Sequence, residues 1–354
     1  MLTMCDYYGM CDEHGRCVGH PVKVTEEYGK IINELGEDIR LVCSPCIING
    51  VSNKDMFAQT VKLPYDISIT DNGIVKRIID KFKLFCNIRI ALKNKGTIFF
   101  YQVDFFFFLY LKLFYRRRDD RKIVILIYHQ DFTGGRFAEK LKKIYKRALN
   151  KIDTVIYTQK GAKVCHDNAL WMPDFIYRAD EYEKYGIIQK IDRVVCLGSM
   201  SRYKRIEMLI DIWRENTDLP KLIIAGRFDT KERFMAISEN LPENVSVRDE
   251  VLSYEEYMTT LAGSKYSILP YDMEQYKDRT SGVLLESIYC GVMPIAPDKL
   301  LKQNMLPGLG YEDMSEIPCL LHDDTEIVSK QFQNIYEEYG MKYATDVLKE
   351  ALIS

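Results

Sequence analysis

The sequence predicts an α/β protein built from two doubly wound domains that face a cleft. Three observations carry that expectation. Short continuous apolar runs alternate with helix-period segments, the alternation falls into two series, and 354 residues are more than one ordinary core serves. Apolar runs without polar alternation imply strands buried on both faces, hence parallel sheets covered by helices.

The first series opens with LTMCDYY (2–8), a short apolar strand, and a glycine-containing loop, GMCDEHGRCVGH (9–20). A helix follows, with apolar residues at Val24, Tyr28, Ile31, Ile32 and Leu35 and a stop at Gly36. DIRLVCSP (38–45) is the next strand, and TIFFYQ (97–102), KIVILIYH (122–129) and DTVIYT (153–158) come later, each after a helical pattern. The second series has DRVVCLG (192–198), KLIIAG (221–226), NVSVR (244–248), KYSILP (265–270) and VMPIA (292–296) as strands. The stretch 174–190 reads as the connection. The expected division is a first domain over 1–175, a second over 176–340, and a C-terminal helix over 341–354 that packs back on the first.

An apolar fraction of 47% with 28% charged residues indicates a soluble globular chain, and no secretory leader opens it. Ten cysteines in so large a chain without a leader point to reduced thiols in a cytoplasm. Cys11, His14, Cys17 and His20, followed by Cys43 and Cys46, have metal-ligating chemistry. Gly15 and Gly19 argue for a loop there, and the spacing matches no finger pattern, so no metal is expected.

Charge is uneven. Residues 1–175 carry 28 Lys and Arg against 20 Asp and Glu, and residues 176–354 carry 21 against 31. Such asymmetry suggests that the first domain meets an anionic surface. FFFFLYLKLFYRRR (105–118) is no membrane span, because its uninterrupted apolar stretch is seven residues, against about 20 for a spanning helix. Asp104 is placed to cap its N-terminus. The helix at 137–151 is basic and amphipathic: Phe137, Leu141, Ile144, Tyr145 and Ala148 share one face, with Lys140, Lys142, Lys143, Lys146, Arg147 and Lys151 on the rest. It fits either a core-packed helix with a solvated basic face or, with Arg116–Arg118, Arg121 and Lys122, an anionic bilayer surface.

The chemistry concentrates in DRTSGVLLESIYCGVMPIAP (278–297), a strand–loop–helix junction at the carboxyl edge of a parallel sheet. Backbone amides at Thr280, Ser281 and Gly282, with the helix dipole behind them, suit a diphosphate, and Gly282 permits close approach. Glu286 reaches another part of the same ligand, where a carboxylate accepts from vicinal hydroxyls as it does in ribose recognition. Asp278 is placed to hold hydroxyls of a second sugar. A helix N-cap plus a surface glutamate is the plainer reading of the same residues.

These residues resemble the paired-acid segment of retaining glycosyltransferases of the GT-B fold, two Rossmann-like domains, and in particular family 4, as in bacterial polysaccharide assembly. VVCLGSMSRYKRIEMLIDIW is similar to the family's strand, glycine loop and lysine-bearing helix, and KLIIAGRF to its next strand. NVSVRDEVLSYEEYMTTLAGSKYSILPY is similar to the stretch leading to the donor site. The resemblance covers about residues 192–300 and is looser over the first half. It implies ribose binding by Glu286, donor-sugar binding by Asp278, diphosphate neutralisation by Lys204 beside Gly198, and a donor-sugar contact from His129. The loop 9–19 would stand where the family has a mobile loop over phosphates and acceptor.

Two departures are visible: the first acid is Asp where Glu is usual, and Ser199 replaces an arginine after the loop glycine, for which Arg202 is a substitute within reach. The implied activity is transfer of a sugar, with retention, from a nucleotide-sugar donor, expected to be UDP-linked, to a glycan or lipid-linked acceptor. No cofactor, metal or nucleic acid is expected, and the place of work is cytoplasmic, peripheral at the inner membrane face. An epimerase acting on sugar nucleotides, or a non-catalytic partner subunit of the same fold, would share these residues.

Overall fold

The computed structural model describes the chain apart from residues 13, 16, 18–20, 69–73, 129–137, 162, 163, 165, 175, 176, 275, 277–280, 322–325 and 354. Chain contacts divide it into two units, Met1–Thr158 with Lys163–Met172 and Ala344–Ser354, and Pro173–Tyr343 with Gln159–Ala162.

The first unit runs β1 (Leu2–Asp6), β2 (Met10–Cys11), α1 (Pro21–Glu34), β3 (Ile39–Cys43), α2 (Pro45–Gly50), β4 (Gln59–Lys62), β5 (Ile67–Ser68), α3 (Ile74–Ala91), β6 (Gly96–Phe100), α4 (Phe105–Phe114), β7 (Arg121–Ile127), α5 (Ala138–Leu149), β8 (Thr154–Tyr157) and β9 (Ala169–Trp171). Its main sheet has the order β4-β3-β1-β6-β7-β8-β9, parallel throughout, and β2 pairs β5 in a separate ladder. The apolar runs expected to be strands form the interior of this sheet: β1 is buried at every position and β7 at its last five. One helical layer closes over Cys5, Tyr7, Ile98, Phe100, Phe107, Phe108 and Leu111, where Phe100 and Phe107 meet at 4.7 Å between ring centres. Asp104 caps α4, its carboxylate accepting from Phe107 N at 3.1 Å.

The second unit runs α6 (Ala179–Gly186), β10 (Ile191–Leu197), α7 (Ile206–Glu215), β11 (Lys221–Ala225), α8 (Lys231–Ser238), β12 (Val245–Arg248), α9 (Tyr254–Ala262), β13 (Ser264–Ile268), α10 (Gly282–Tyr289), β14 (Met293–Pro297), α11 (Asp298–Asn304), β15 (Leu309–Tyr311), α12 (Ile317–Leu320) and α13 (Glu326–Glu338). Its sheet, β12-β11-β10-β13-β14-β15, is again all parallel. The last helix, α14 (Met341–Leu352), groups with the first unit from Ala344 onward.

The structure adds to the sequence reading in three places. Strands β4, β9 and β15 are edge strands of three or four residues, with β4 largely exposed, so they lack the continuous apolar run that marks an interior strand. The stretch 174–190, read as a connection, contains α6, which buries Tyr182 and Tyr185 in the second unit. In α5, Ala148 and Leu149 are buried and Tyr145 packs edge-on against Phe108, while Lys142, Lys143, Lys146 and Arg147 are exposed. Lys151 is not part of that exposed face: its ammonium donates to the carbonyls of Leu111 and Tyr115 at 2.6 and 2.5 Å, at the end of α4. No helix among the described residues is long and apolar enough to cross a membrane.

Candidate functional site

The second sheet switches direction between β10 and β13, with β11 and β12 on one side and β14 and β15 on the other. Open parallel sheets bind ligands outside the carboxyl ends of the strands at such a point, because the two neighbouring crossovers leave in opposite directions and open a crevice. Six of the expected site residues follow these two strands: Gly198, Arg202 and Lys204 after β10, and Ser281, Gly282 and Glu286 around the start of α10. Asp278 and Thr280, also after β13, and His129, after β7, lie outside the described residues.

The loops from the two strands are tied to each other. Arg205 N donates to Pro270 O at 2.8 Å, and Asp272 N to Tyr203 O at 2.7 Å. Between them Lys204 and Tyr271 form an antiparallel bridge. On the other side Met200 N donates to Arg227 O at 2.9 Å, and Gly226 packs so closely that a Cβ there would lie 1.8 Å from Gly198 O. Gly198 has φ +90° and Gly226 φ +152°, so glycine is required twice, by backbone conformation and by proximity.

These turns hold Lys204 in place. It is only 6% exposed, its ammonium donates to Leu197 O at 2.7 Å, and it lies 5.7 Å from the ring centre of Tyr271. Burial pushes its pKa down, a cost that a bound anion would offset. A side chain built on Gly198 would meet Lys204 Nζ at 3.8 Å and Val283 Cγ2 at 3.7 Å, so one point beside this glycine is bordered by a lysine ammonium and by the first turn of α10. Ser281 caps that helix, accepting from Leu284 N at 3.4 Å, and its hydroxyl is held at 3.1 Å from Tyr271 Oη. The first helical amides precede any intrahelical bond and carry the positive end of the dipole.

Glu286 lies one turn further on, half-buried among tyrosines. Tyr257 on α9 donates its phenol to Glu286 Oε2 at 2.5 Å. Burial first, and the Glu286 charge second, push the Tyr257 pKa well up, so this phenol stays a donor at physiological pH. One carboxylate oxygen is thereby oriented by the protein.

Arg202 does not enter the site as a substitute for the missing arginine. Its side chain is 81% exposed and pairs with Asp229 at 3.3 Å. Arg227, directly after Gly226, is exposed beside the packed glycine pair. Sequence reasoning missed it because the relevant neighbour, Gly198, is 29 positions away and only the fold brings the two turns together. Tyr257 was missed for the same reason.

In the first unit the corresponding switch lies between β1 and β6. Asp6, at the end of β1, is fully buried. Its Oδ1 accepts from Tyr8 N at 2.8 Å, and its Oδ2 has no hydrogen-bond partner among the described residues. Burial raises its pKa to about 7, against which the Tyr8 amide works. In the loop above, Cys11 and Cys17 form an antiparallel bridge, and a hydrogen bond from Cys46 lowers the Cys17 pKa. His20 lies outside the described residues. Among those described, no three His, Cys, Asp or Glu side chains are grouped to hold a metal ion.

No known family profile matches the chain, and neither does any curated protein. Solved structures do. A glycosyltransferase from Rickettsia africae superposes with a TM-score of 0.63 at 12% identity, covering 100% of this chain and 99% of its own. Anabaena HepE, solved in complex with UDP, superposes at 0.61 and 10% identity over 99% of both chains. The N-terminal domain of Candida albicans trehalose-6-phosphate phosphatase gives 0.63 at 10% identity, over 99% of this chain and 96% of its own. The chain therefore has the GT-B fold of glycosyltransferases.

Proposed function

We propose that the protein is a glycosyltransferase that takes its sugar from a UDP-linked donor and retains anomeric configuration. The observation that carries the reading is the meeting, at one switch point, of the Lys204 ammonium, the capped N-terminus of α10 and the Glu286 carboxylate. A nucleoside diphosphate presents the matching groups in the same order, a dianionic diphosphate and a ribose diol. The complexes of HepE with UDP and with UDP-glucose support the uridine nucleotide.

In this reading Glu286, with Oε2 engaged by Tyr257, accepts from the ribose hydroxyls. Lys204, Arg227 and the α10 amides compensate the diphosphate charge that builds as the sugar C1–oxygen bond breaks. The acceptor hydroxyl forms the new bond to C1 on the face the diphosphate leaves, and its proton passes to a departing phosphate oxygen. Asp278 and His129 take donor-sugar hydroxyls by their resemblance to family 4 residues. No metal or cofactor enters the scheme. The acceptor is a glycan or lipid-linked glycan in bacterial polysaccharide assembly, and the protein works in the cytoplasm, peripherally at the inner membrane face, where the exposed lysines of α5 meet anionic lipid.

Replacing Glu286 with Ala removes bonds to a charged acceptor and is expected to weaken UDP binding by roughly 1.5–3 kcal/mol. Titration calorimetry on the folded variant measures it, and unchanged UDP affinity would remove the ribose assignment. Product analysis after incubation with a UDP-sugar and acceptor separates transfer, which releases UDP, from epimerisation, which returns an isomerised sugar nucleotide.

A further inference from the structure

The longest helix of the first unit, α3, exposes large apolar side chains where a packed helix would hide them. Ile74, Val75, Ile78, Ile79 and Phe82 are between 48% and 77% exposed. They recur at i, i+1, i+4, i+5 and i+8, which is one helical face. The residues of α3 that enter the core, Leu84, Asn87, Ile88 and Ala91, belong to its second half. The neighbouring helix extends the apolar face. Phe85 of α3 packs against Phe106, Tyr110 and Phe114 of α4, and Leu113 and Phe114 are themselves 55% and 60% exposed.

The charges around this face are predominantly basic. Helix α3 carries Lys76, Arg77, Lys81, Lys83 and Arg89 against a single acid, Asp80, which is buried and sits 3.7 Å from both Lys76 and Lys83. Lys81 stands over the ring of Phe106 at 3.8 Å, and Arg116 to Arg118 follow α4, with Arg117 and Arg118 paired to Asp153 and Asp120. A second copy of this face would bring like charges together, whereas an anionic bilayer satisfies both features at once. Apolar side chains enter the acyl boundary while lysine and arginine heads stay at the phosphates.

We propose that the exposed face of α3, continued by Leu113 and Phe114 of α4, inserts into the interface of an anionic lipid bilayer. The inference deepens the membrane reading given above and rests on it. The basic face of α5 supplies attraction, and α3 supplies the apolar insertion that attraction alone lacks.

The test uses the full chain and vesicles of phosphatidylglycerol mixed with phosphatidylcholine, with pure phosphatidylcholine as the comparison. Ile78→Ser together with Phe82→Ser alters only exposed positions and is expected to lower partitioning to the mixed vesicles by about tenfold or more, from the lost apolar burial. Unfolding temperature and UDP binding should not change. Separately, Phe82→Trp should gain emission that brominated lipid quenches. Partitioning of the double variant equal to that of the parent, with no quenching, overturns the α3 assignment while leaving the membrane reading in place. No partitioning of the parent to either vesicle overturns both. Concentration-dependent self-association that the double variant abolishes would assign the face to a second copy instead. The UDP titration reports on the transferase reading independently of all three.

Discussion

At the scale of single residues, the two best-defined groups are both charged groups held against their preference. Lys204 is buried with its pKa pushed down, and among the described residues its ammonium has one hydrogen-bond partner, Leu197 O. Replacing it with Met fills the same space without a buried cation. Lys204→Met should leave stability unchanged or higher, because a buried charge with incomplete pairing costs more than an apolar side chain of equal size. Turnover should fall by about a hundredfold or more, since charge compensation is needed most in the transition state. If kcat stays within about twofold of the parent in a folded variant, the leaving-group role is wrong.

Asp6 gives a pH-dependent counterpart. Its folded pKa of about 7 lies above the ordinary 3.8, so the folded chain holds the proton more tightly than the unfolded chain does. Its contribution is therefore intact below about pH 4 and is lost progressively as pH rises to about 7. At about 1.4 kcal/mol per pH unit, the loss above that window is on the order of 4 kcal/mol. Asp6→Asn keeps an acceptor for Tyr8 N and cannot ionise. Urea denaturation of the variant across pH 4–8 should show this slope removed and stability raised at pH 8. An unchanged slope would show that the carboxyl is not buried in solution.

At the scale of elements, the interior strands were legible because a parallel strand covered on both faces is largely apolar along its buried length. β1, β7, β10 and β14 announce themselves in this way. β4 does not, since an edge strand can be polar, and β9 and β15 are only Ala-Leu-Trp and Leu-Gly-Tyr. The strand–loop–helix junction at Thr280, Ser281 and Gly282 was legible in the sequence, Glu286 was read from its place in that helix, and Lys204 came only from the family resemblance. The pairing of Tyr257 with Glu286 was not, because it joins α9 to α10 through the sheet packing. The junction of Gly198 with Gly226 belongs to the same class. Gly226→Ala would place a methyl 1.8 Å from Gly198 O at φ +152°, so the turns must separate. A loss of about 2 kcal/mol or more in chemical denaturation is expected, with weakened UDP binding. Gly186→Ala, where a Cβ meets nothing within 4 Å, serves as the control and should stay within about 0.5 kcal/mol of the parent. Equal stability of the two variants would mean that the glycine junction does not hold the turn.

At the scale of the whole molecule, charge is divided between the two halves of the chain, with 28 basic against 20 acidic residues up to position 175 and 21 against 31 beyond it. The structure refines which of the basic residues count. Arg117 and Arg118 pair with Asp153 and Asp120, and Lys151 is drawn onto the carbonyl end of α4. Lys142, Lys143, Lys146 and Arg147 remain together on the exposed side of α5, whose other side is anchored by Ala148 and Leu149. Each such charge near an anionic bilayer contributes about 1 kcal/mol, and the interaction decays within a Debye length of about 8 Å at physiological salt. Reversing these four residues to Glu should therefore abolish sedimentation with anionic vesicles while the UDP affinity proposed for the second unit stays at the parental value. Salt should release the parent in the same way. Sedimentation that survives both the reversal and high salt would assign the attachment to apolar insertion alone. Equal binding to neutral vesicles would leave the basic face of α5 as an ordinary solvated surface.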